Sequence, residues 1–206
     1  MGHRRLRLSG KPRILILCEG AQTEPNYFNW LKFQNRLTSV VVRPPRGRQS
    51  GPQGLLKRLK SELKRDSGWD EVYCVLDHDE RTVEIDIFKT DLARLNNRRA
   101  STRIEMVLSN PCFELWLLLH YEFTDRPYAS LPEGSSACNG VTNKLLRHIP
   151  NYSKNSIDYL NGLVDRVTDA LVNAGRLNSL EFREGSEHLP HTDVNELVAR
   201  LLKIND

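Results

Sequence analysis

Two short acidic stretches carry the chemistry this sequence could perform. Glu19-Gly20 directly follows the apolar run Ile14-Leu15-Ile16-Leu17-Cys18, and Asp77-His78-Asp79-Glu80 directly follows Val72-Tyr73-Cys74-Val75-Leu76. If the chain stays extended past Leu76, Asp77 and Asp79 project from the same face. Two hard carboxylates side by side, completed by backbone and water, suit Mg²⁺. Neither Lys nor Arg separates them, and such a cluster is costly unless a cation neutralises it. Acidic residues after strands are also ordinary turn formers and helix caps, so each stretch alone says little and the two together say more.

The elements that would position these residues follow from periodicity. Ile14–Cys18, Val40–Val42, Val72–Leu76 and Ile104–Leu108 are continuous apolar runs of the kind buried in parallel strands. Between them lie helical patterns. Thr23 is placed to cap one, with Glu24 and Pro25 in its first turn and Tyr27, Phe28, Trp30, Leu31 and Phe33 as its apolar side. Leu55, Leu56, Leu59 and Leu63 form a second stripe, and Phe88, Leu92 and Leu95 a third. Phe113–Leu119 is apolar nearly all round and reads as a central helix. Strands alternating with helices predict an α/β fold: an open parallel sheet of about four strands flanked by helices, occupying residues 1–123. Residues 124–140 are a Pro/Gly/Ser-rich loop. Helical spacing returns at Val141–Ile149, Ile157–Leu171 and Val194–Leu202, the last with Thr192 or Asp193 as its cap. Residues 124–206 are therefore expected as a loop plus a C-terminal helical extension packed on the core. In such sheets ligands bind beyond the carboxyl ends of the strands, where the strand order reverses, and both acidic stretches lie at that edge.

Composition narrows the class. The 206 residues are 39% hydrophobic and 27% charged, enough for one core and too balanced for wholesale disorder. The net charge of +4 hides an asymmetry, since residues 1–66 carry 15 Lys/Arg against 4 Asp/Glu (+11) and residues 67–206 carry 15 against 22 (−7). A basic half suits a phosphate-bearing partner and an acidic half a cation. The densest apolar stretch, Phe113–Leu119, is interrupted by Glu114 and far too short to span a membrane. Ile14–Cys18 is likewise too short for a secretory signal. Cys18, Cys74, Cys112 and Cys138 have no metal-binding or redox spacing, so reduced thiols in a cytoplasmic protein are expected.

Other chemistries fit less well. A haloacid-dehalogenase-like phosphatase uses Asp-x-Asp after an apolar strand, but that motif normally opens the chain and continues into Thr or Val, whereas here it comes third and continues into Glu80. Metal-dependent nucleotide-sugar transferases leave Glu19-Gly20 unexplained. No Gly-x-x-x-x-Gly-Lys phosphate loop exists.

Three longer stretches point further. Cys18-Glu19-Gly20-Ala21-Gln22-Thr23-Glu24-Pro25-Asn26-Tyr27-Phe28, Val75-Leu76-Asp77-His78-Asp79-Glu80, and Ser109-Asn110-Pro111-Cys112-Phe113-Glu114-Leu115-Trp116 through His120 resemble the RloB-like family. So do Tyr152-Ser153-Lys154 and Pro190-His191-Thr192-Asp193-Val194 near the end of the chain. That family is prokaryotic and occurs beside restriction and phage-defence genes, and its core resembles the Toprim fold. The resemblance implies that Glu19 assists acid/base work and that Asp77 and Asp79 bind Mg²⁺, with Mn²⁺ as a substitute. It brings in Asn110 and Glu114 from the third stretch. Glu80 and Glu114 are candidates for a second ion, the count of one or two staying open.

The remaining candidates have competing local readings. Glu114 is either a ligand or base, or a first-turn Glu favoured by the helix dipole or paired with a buried Arg, and its apolar setting demands compensation if it is ionised. Glu24 is explained locally as a first-turn residue and gains interest from the resemblance. His78 should face away from its neighbouring aspartates, and His120 reads first as a satisfied core histidine. Arg43, Arg46 and Arg48, with the basic residues of 57–65, are expected to contact a nucleic-acid backbone without reading bases. Lys154 is expected as a phosphate contact, because the resemblance singles out its Tyr-x-Lys setting. The expectation is a Mg²⁺-dependent Toprim-like nuclease cutting DNA or RNA in cellular defence, cytoplasmic, with an ATPase partner, no membrane contact and an open oligomeric state. The alternative is a non-catalytic regulatory or nucleotide-binding subunit of an ATPase-containing defence complex.

Overall fold

The structure is a computed structural model that describes residues 10–45, 47, 50–79, 81–98, 101–128, 136–180 and 189–205. Four parallel strands form where the apolar runs lie: β1 (Ile14–Cys18), β2 (Val40–Arg43), β3 (Glu71–Asp77) and β4 (Arg103–Asn110). A fifth, β5 (His191–Thr192), joins β4 antiparallel, pairing Ser109 with Thr192 and Asn110 with His191. The sheet order is β2-β1-β3-β4-β5. The fold is thus mixed α/β with a mostly parallel sheet, and the expected four strands become five. A two-residue strand has no periodicity to detect, which is why it escapes a pattern reading.

Alternate residues of β1 feed two cores. Leu15 and Leu17 face α2 (Gly51–Arg65) and α3 (Thr82–Arg98), with Leu55, Leu59, Leu63, Ile85 and Phe88 packed against them. Ile14, Ile16 and Cys18 face α1 (Thr23–Gln34), α4 (Glu114–Leu119), α5 (Ala137–Leu145), α6 (Val167–Asn178) and α7 (Val194–Leu202). Every residue of α4 is buried, so this helix is the centre of the larger core. That core also takes in Val141, Leu163, Ala170 and Leu197, so the C-terminal helices share apolar contacts with the sheet.

Several local expectations change, among them the helix expected over Val141–Ile149, which starts inside the expected loop and runs Ala137–Leu145. Phe33 is 81% exposed instead of completing the α1 stripe. The Ile157–Leu171 stretch splits into a 3₁₀ segment, Asp158–Arg166, followed by α6, and leaves Ile157 and Val164 exposed. Thr23 is the first residue of α1 and makes no capping bond.

The strand order reverses between β1 and β3. The chain leaves β1 for β2 on one side, then crosses back over β1 to β3 on the other. Helices that depart in opposite directions leave a crevice at the carboxyl ends of these two strands.

Candidate active site

Glu19 is the first residue past β1, and its N–H donates to Val75 O at 2.9 Å, which continues the β1–β3 ladder by one rung. Asp77 is the last residue of β3. Its N–H lies 3.4 Å from Glu19 Oε2, so two residues 58 apart in sequence meet at the switch point. Around them a cleft of about 260 Å³ is lined by Glu19, Gly20, Thr23, Glu24, Ser50, Asp77, Asp79, Arg81, Phe113, Glu114 and Lys154, among others. Among the described residues, five carboxylates from three stretches of sequence share this space with two basic groups, Arg81 and Lys154.

Asp79 arrives by a different route from the one alternation predicts. The strand ends at Asp77, and Asp79 adopts φ +41°, a left-handed conformation that Asp tolerates better than most residues. The turn is tied down by His78 N–H to Ser109 O at 2.8 Å and Asp79 N–H to Pro111 O at 3.1 Å. Both aspartates still line the cleft, brought there by a turn instead of an extended strand. Asp77 Oδ1 accepts from Phe113 N–H at 2.9 Å, which links β3 to the start of α4. Burial, then the carboxylates of Glu24 and Glu114, push the Asp77 carboxyl well above its ordinary range.

Gly20 explains the residue after Glu19. Its N–H donates to Glu24 Oε1 at 3.0 Å, and a Cβ at position 20 would lie 2.3–2.4 Å from the Glu24 carboxylate oxygens. Only glycine lets that carboxylate fold back onto the loop. Glu24 is buried, and its pKa is raised by that burial despite the backbone bonds it accepts.

Glu114 is 1% exposed, so its charge needs partners. Oε1 accepts from Tyr152 OH at 2.8 Å and Thr23 Oγ1 at 3.4 Å, and Lys154 Nζ stands 3.1 Å away. Burial raises its pKa, but the Lys154 charge and the Tyr152 bond outweigh burial and leave it lowered, so Glu114 is ionised at neutral pH. The compensation expected of a buried Arg thus comes from Lys154 and Tyr152. Oε2 is buried and makes no hydrogen bond to a described residue.

Arg81 was not among the expected site residues, and Thr23, Tyr152 and Cys138 entered the sequence reading only as a helix cap, as part of the Tyr152-Ser153-Lys154 stretch and as a reduced thiol. Arg81 grips Glu19 with both terminal nitrogens, at 2.6 and 3.2 Å, and Cys138 Sγ lies 3.7 Å from Asp79 Oδ1. Arg81 had a visible signal, being the first basic residue after a run of acidic ones; Thr23 and Tyr152 lay in the family-like stretches without a site role of their own, and Cys138 had no signal. Among the described residues no three His, Cys, Asp or Glu side chains are arranged to ligate a metal as they stand. Several are committed elsewhere: Glu19 to Arg81, Glu24 to Gly20, Glu114 to Lys154 and Tyr152.

Other expected residues lie apart. His120 is buried in the core, with Nδ1 2.9 Å from Trp116 O, and burial pushes its pKa down to about 4, so it is a neutral packing residue and does not line the cleft. Asn110 sits at the end of β4 and donates to Leu189 O at 3.3 Å, away from the cleft lining. His78 faces Thr82 at 3.4 Å and does not line the cleft. Arg43 lines a second, larger cleft of about 590 Å³ between β2 and α2, with Lys57, Arg58, Arg65 and Glu62. Arg58 donates to Cys18 O and Arg43 O, both at 2.8 Å, which sets this basic cleft one residue from Glu19. Arg46, Arg48 and Glu80 lie outside the described residues.

Fold and site together define an open, mostly parallel α/β protein with an acidic cleft at its topological switch point. The family model of RloB-like proteins matches residues 14–201, and the chain belongs to that family. No curated protein and no solved structure matches it.

Proposed function

We propose that this chain is a Mg²⁺-dependent phosphodiesterase of the Toprim kind, with Mn²⁺ as a substitute, that cuts DNA or RNA in prokaryotic defence alongside an ATPase partner. One observation carries the reading: among the described residues five carboxylates converge on a cleft with two basic groups, and Asp77 is driven toward its neutral form by burial and its neighbours. A site built this way relaxes when a divalent cation enters. The donor set fits, being hard carboxylate oxygen throughout, with Glu114 Oε2 already buried and uncommitted. Asp77 and Asp79 would hold the ion with Glu19. When bound, such an ion neutralises charge on a phosphodiester and lowers the pKa of water.

The chain's own groups supply the rest. Glu19 stands where it can take a proton once its bond to Arg81 loosens. Lys154, 60% exposed, presents a cation at the cleft mouth for a phosphate. The neighbouring basic cleft of Arg43, Lys57, Arg58 and Arg65 offers a path for the flanking backbone.

The experiment is cleavage of plasmid DNA and tRNA by purified protein with Mg²⁺ or Mn²⁺, with and without the ATPase, against Asp77→Ala. Metal-dependent cleavage lost in the variant is the expected result; identical behaviour of the two proteins overturns the reading. A second reading, a regulatory subunit without turnover, is favoured by the intramolecular partners that Glu19, Glu24 and Glu114 already have. It predicts that Asp77→Ala leaves partner regulation unchanged.

A further inference from the structure

Arg81 lines the switch-point cleft. Its Nη1 donates to Glu19 Oε1 at 2.6 Å and its Nη2 to Glu19 Oε2 at 3.2 Å, so both oxygens of that carboxylate are engaged. Nη2 also donates to the backbone carbonyl of Asp77 at 2.9 Å. The guanidinium therefore bridges the carboxyl ends of β1 and β3, where the acidic residues meet. Lys154, the other basic group among the described residues of the cleft, pairs with Glu114 at 3.1 Å.

A guanidinium stays charged at any pH a protein survives. It is thus a permanent positive charge on one of the carboxylates that a divalent ion would use, and its two hydrogen bonds take up lone pairs and charge of Glu19 that the ion would otherwise draw on. Arg81 lies between the Asp79 turn and the start of α3, and its side chain is 26% exposed. The first turn of α2 lies beside the guanidinium, where a Cβ on Gly51 would stand 3.9 Å from Nη1.

We propose that Arg81 is a resident counter-cation, which holds Glu19 in the ion-free protein, competes with the divalent ion for that carboxylate, and swings toward the cleft mouth when the ion binds. This rests on the reading of the cleft as a cation site. It makes ion entry a displacement, and it leaves a planar two-pronged donor at the mouth, the shape suited to a substrate phosphate.

Mn²⁺ titration of the full chain, followed by calorimetry and by the electron paramagnetic resonance of free Mn²⁺, tests it without recourse to turnover. Arg81→Gln removes the competitor and should tighten Mn²⁺ binding by about tenfold, the scale of one strong charge-assisted pair. Arg81→Lys separates competition from the general field, because it keeps the charge and loses the fork. Competition predicts intermediate tightening in Arg81→Lys; wild-type affinity there, with tightening only in Arg81→Gln, means a field effect and overturns the proposal. Unchanged or weaker binding in Arg81→Gln also overturns it, while wild-type binding that Asp77→Asn abolishes leaves the cation site standing. Binding in neither wild type nor variant defeats both the site and the competition.

Discussion

The acidic cleft at the ends of β1 and β3 and the basic cleft between β2 and α2 lie one residue apart along the chain, yet they are built on opposite principles. In the acidic cleft nearly every group is buried or held: Glu114 by Tyr152 and Lys154, Asp77 by Phe113, Glu24 by Gly20, Glu19 by Arg81. Carboxylates are buried together there, and burial first, then their mutual repulsion, raises the pKa values of Asp77 and Glu24. In the basic cleft, charge is spread over a helix face, and Glu62 balances both Arg43 and Arg65. The first arrangement is tense and localised, suited to an ion and a reacting group. The second is relaxed and extended, suited to a polyanion.

That contrast can be broken experimentally, and the largest effect should come from the tense side. Asp77→Ala should cut metal-dependent cleavage by about 10²–10⁴-fold, the range for a group acting directly on the reacting atoms. Lys57→Gln should change the rate only modestly. Comparable losses in both would erase the distinction between the two clefts.

Next in size is Glu114. Glu114→Ala strands Tyr152 OH and Lys154 around an empty acceptor and should cost about 2–3 kcal/mol of stability. For a domain of this length that lowers Tm by roughly 4–12 °C in thermal unfolding. A Tm within a degree of wild type would mean that the buried network is not holding α4 to the 152–154 segment.

On the relaxed side, affinity for an oligonucleotide should fall steeply with salt, and neutralising Lys57 or Arg65 should flatten the log–log slope by about 1 each. Binding that ignores salt would remove the basic cleft's role.

The smallest effect is the pH dependence of the metal-free protein. Asp77 has a raised folded pKa, so the folded state binds more protons than the unfolded state above the ordinary carboxylate range. Its contribution to stability therefore declines as pH rises from that range through the elevated value. Glu114, with a lowered pKa, contributes in the opposite sense, its share being lost as pH falls through the lowered value. Asp77→Asn keeps the acceptor for Phe113 N–H and removes the repelled charge. It should raise Tm at pH 7.5 by about 3 °C, roughly 1 kcal/mol at this size, and by less at pH 4.5. A gain independent of pH would assign the effect to something other than charge.

Much of this was legible in the residues themselves. Continuous apolar runs announce parallel strands because both sheet faces are covered, and the placement of Glu19 and Asp77 then follows from topology. Glu114 was legible too, since an ionisable group in Phe113–Leu119 has to be compensated. What escaped was set by tertiary context. The left-handed turn at Asp79 depends on carbonyls of Ser109 and Pro111, far away in sequence. Thr23 has the profile of a helix cap, but its hydroxyl is taken by Glu114 and Tyr152. His120 and Asn110 sat in a recognisable stretch, yet one is spent on packing and the other on the β5 edge.

The central claim, that the rim formed by Glu19, Asp77 and Asp79 cages a divalent ion, is tested most directly by anomalous diffraction from crystals soaked in Mn²⁺. A peak within coordinating distance of the Asp77 and Asp79 carboxylates, with Glu19 freed from Arg81, is the predicted result. Ordered carboxylates at that rim with no anomalous peak between them, in crystals that bind Mn²⁺ elsewhere or not at all, would contradict it.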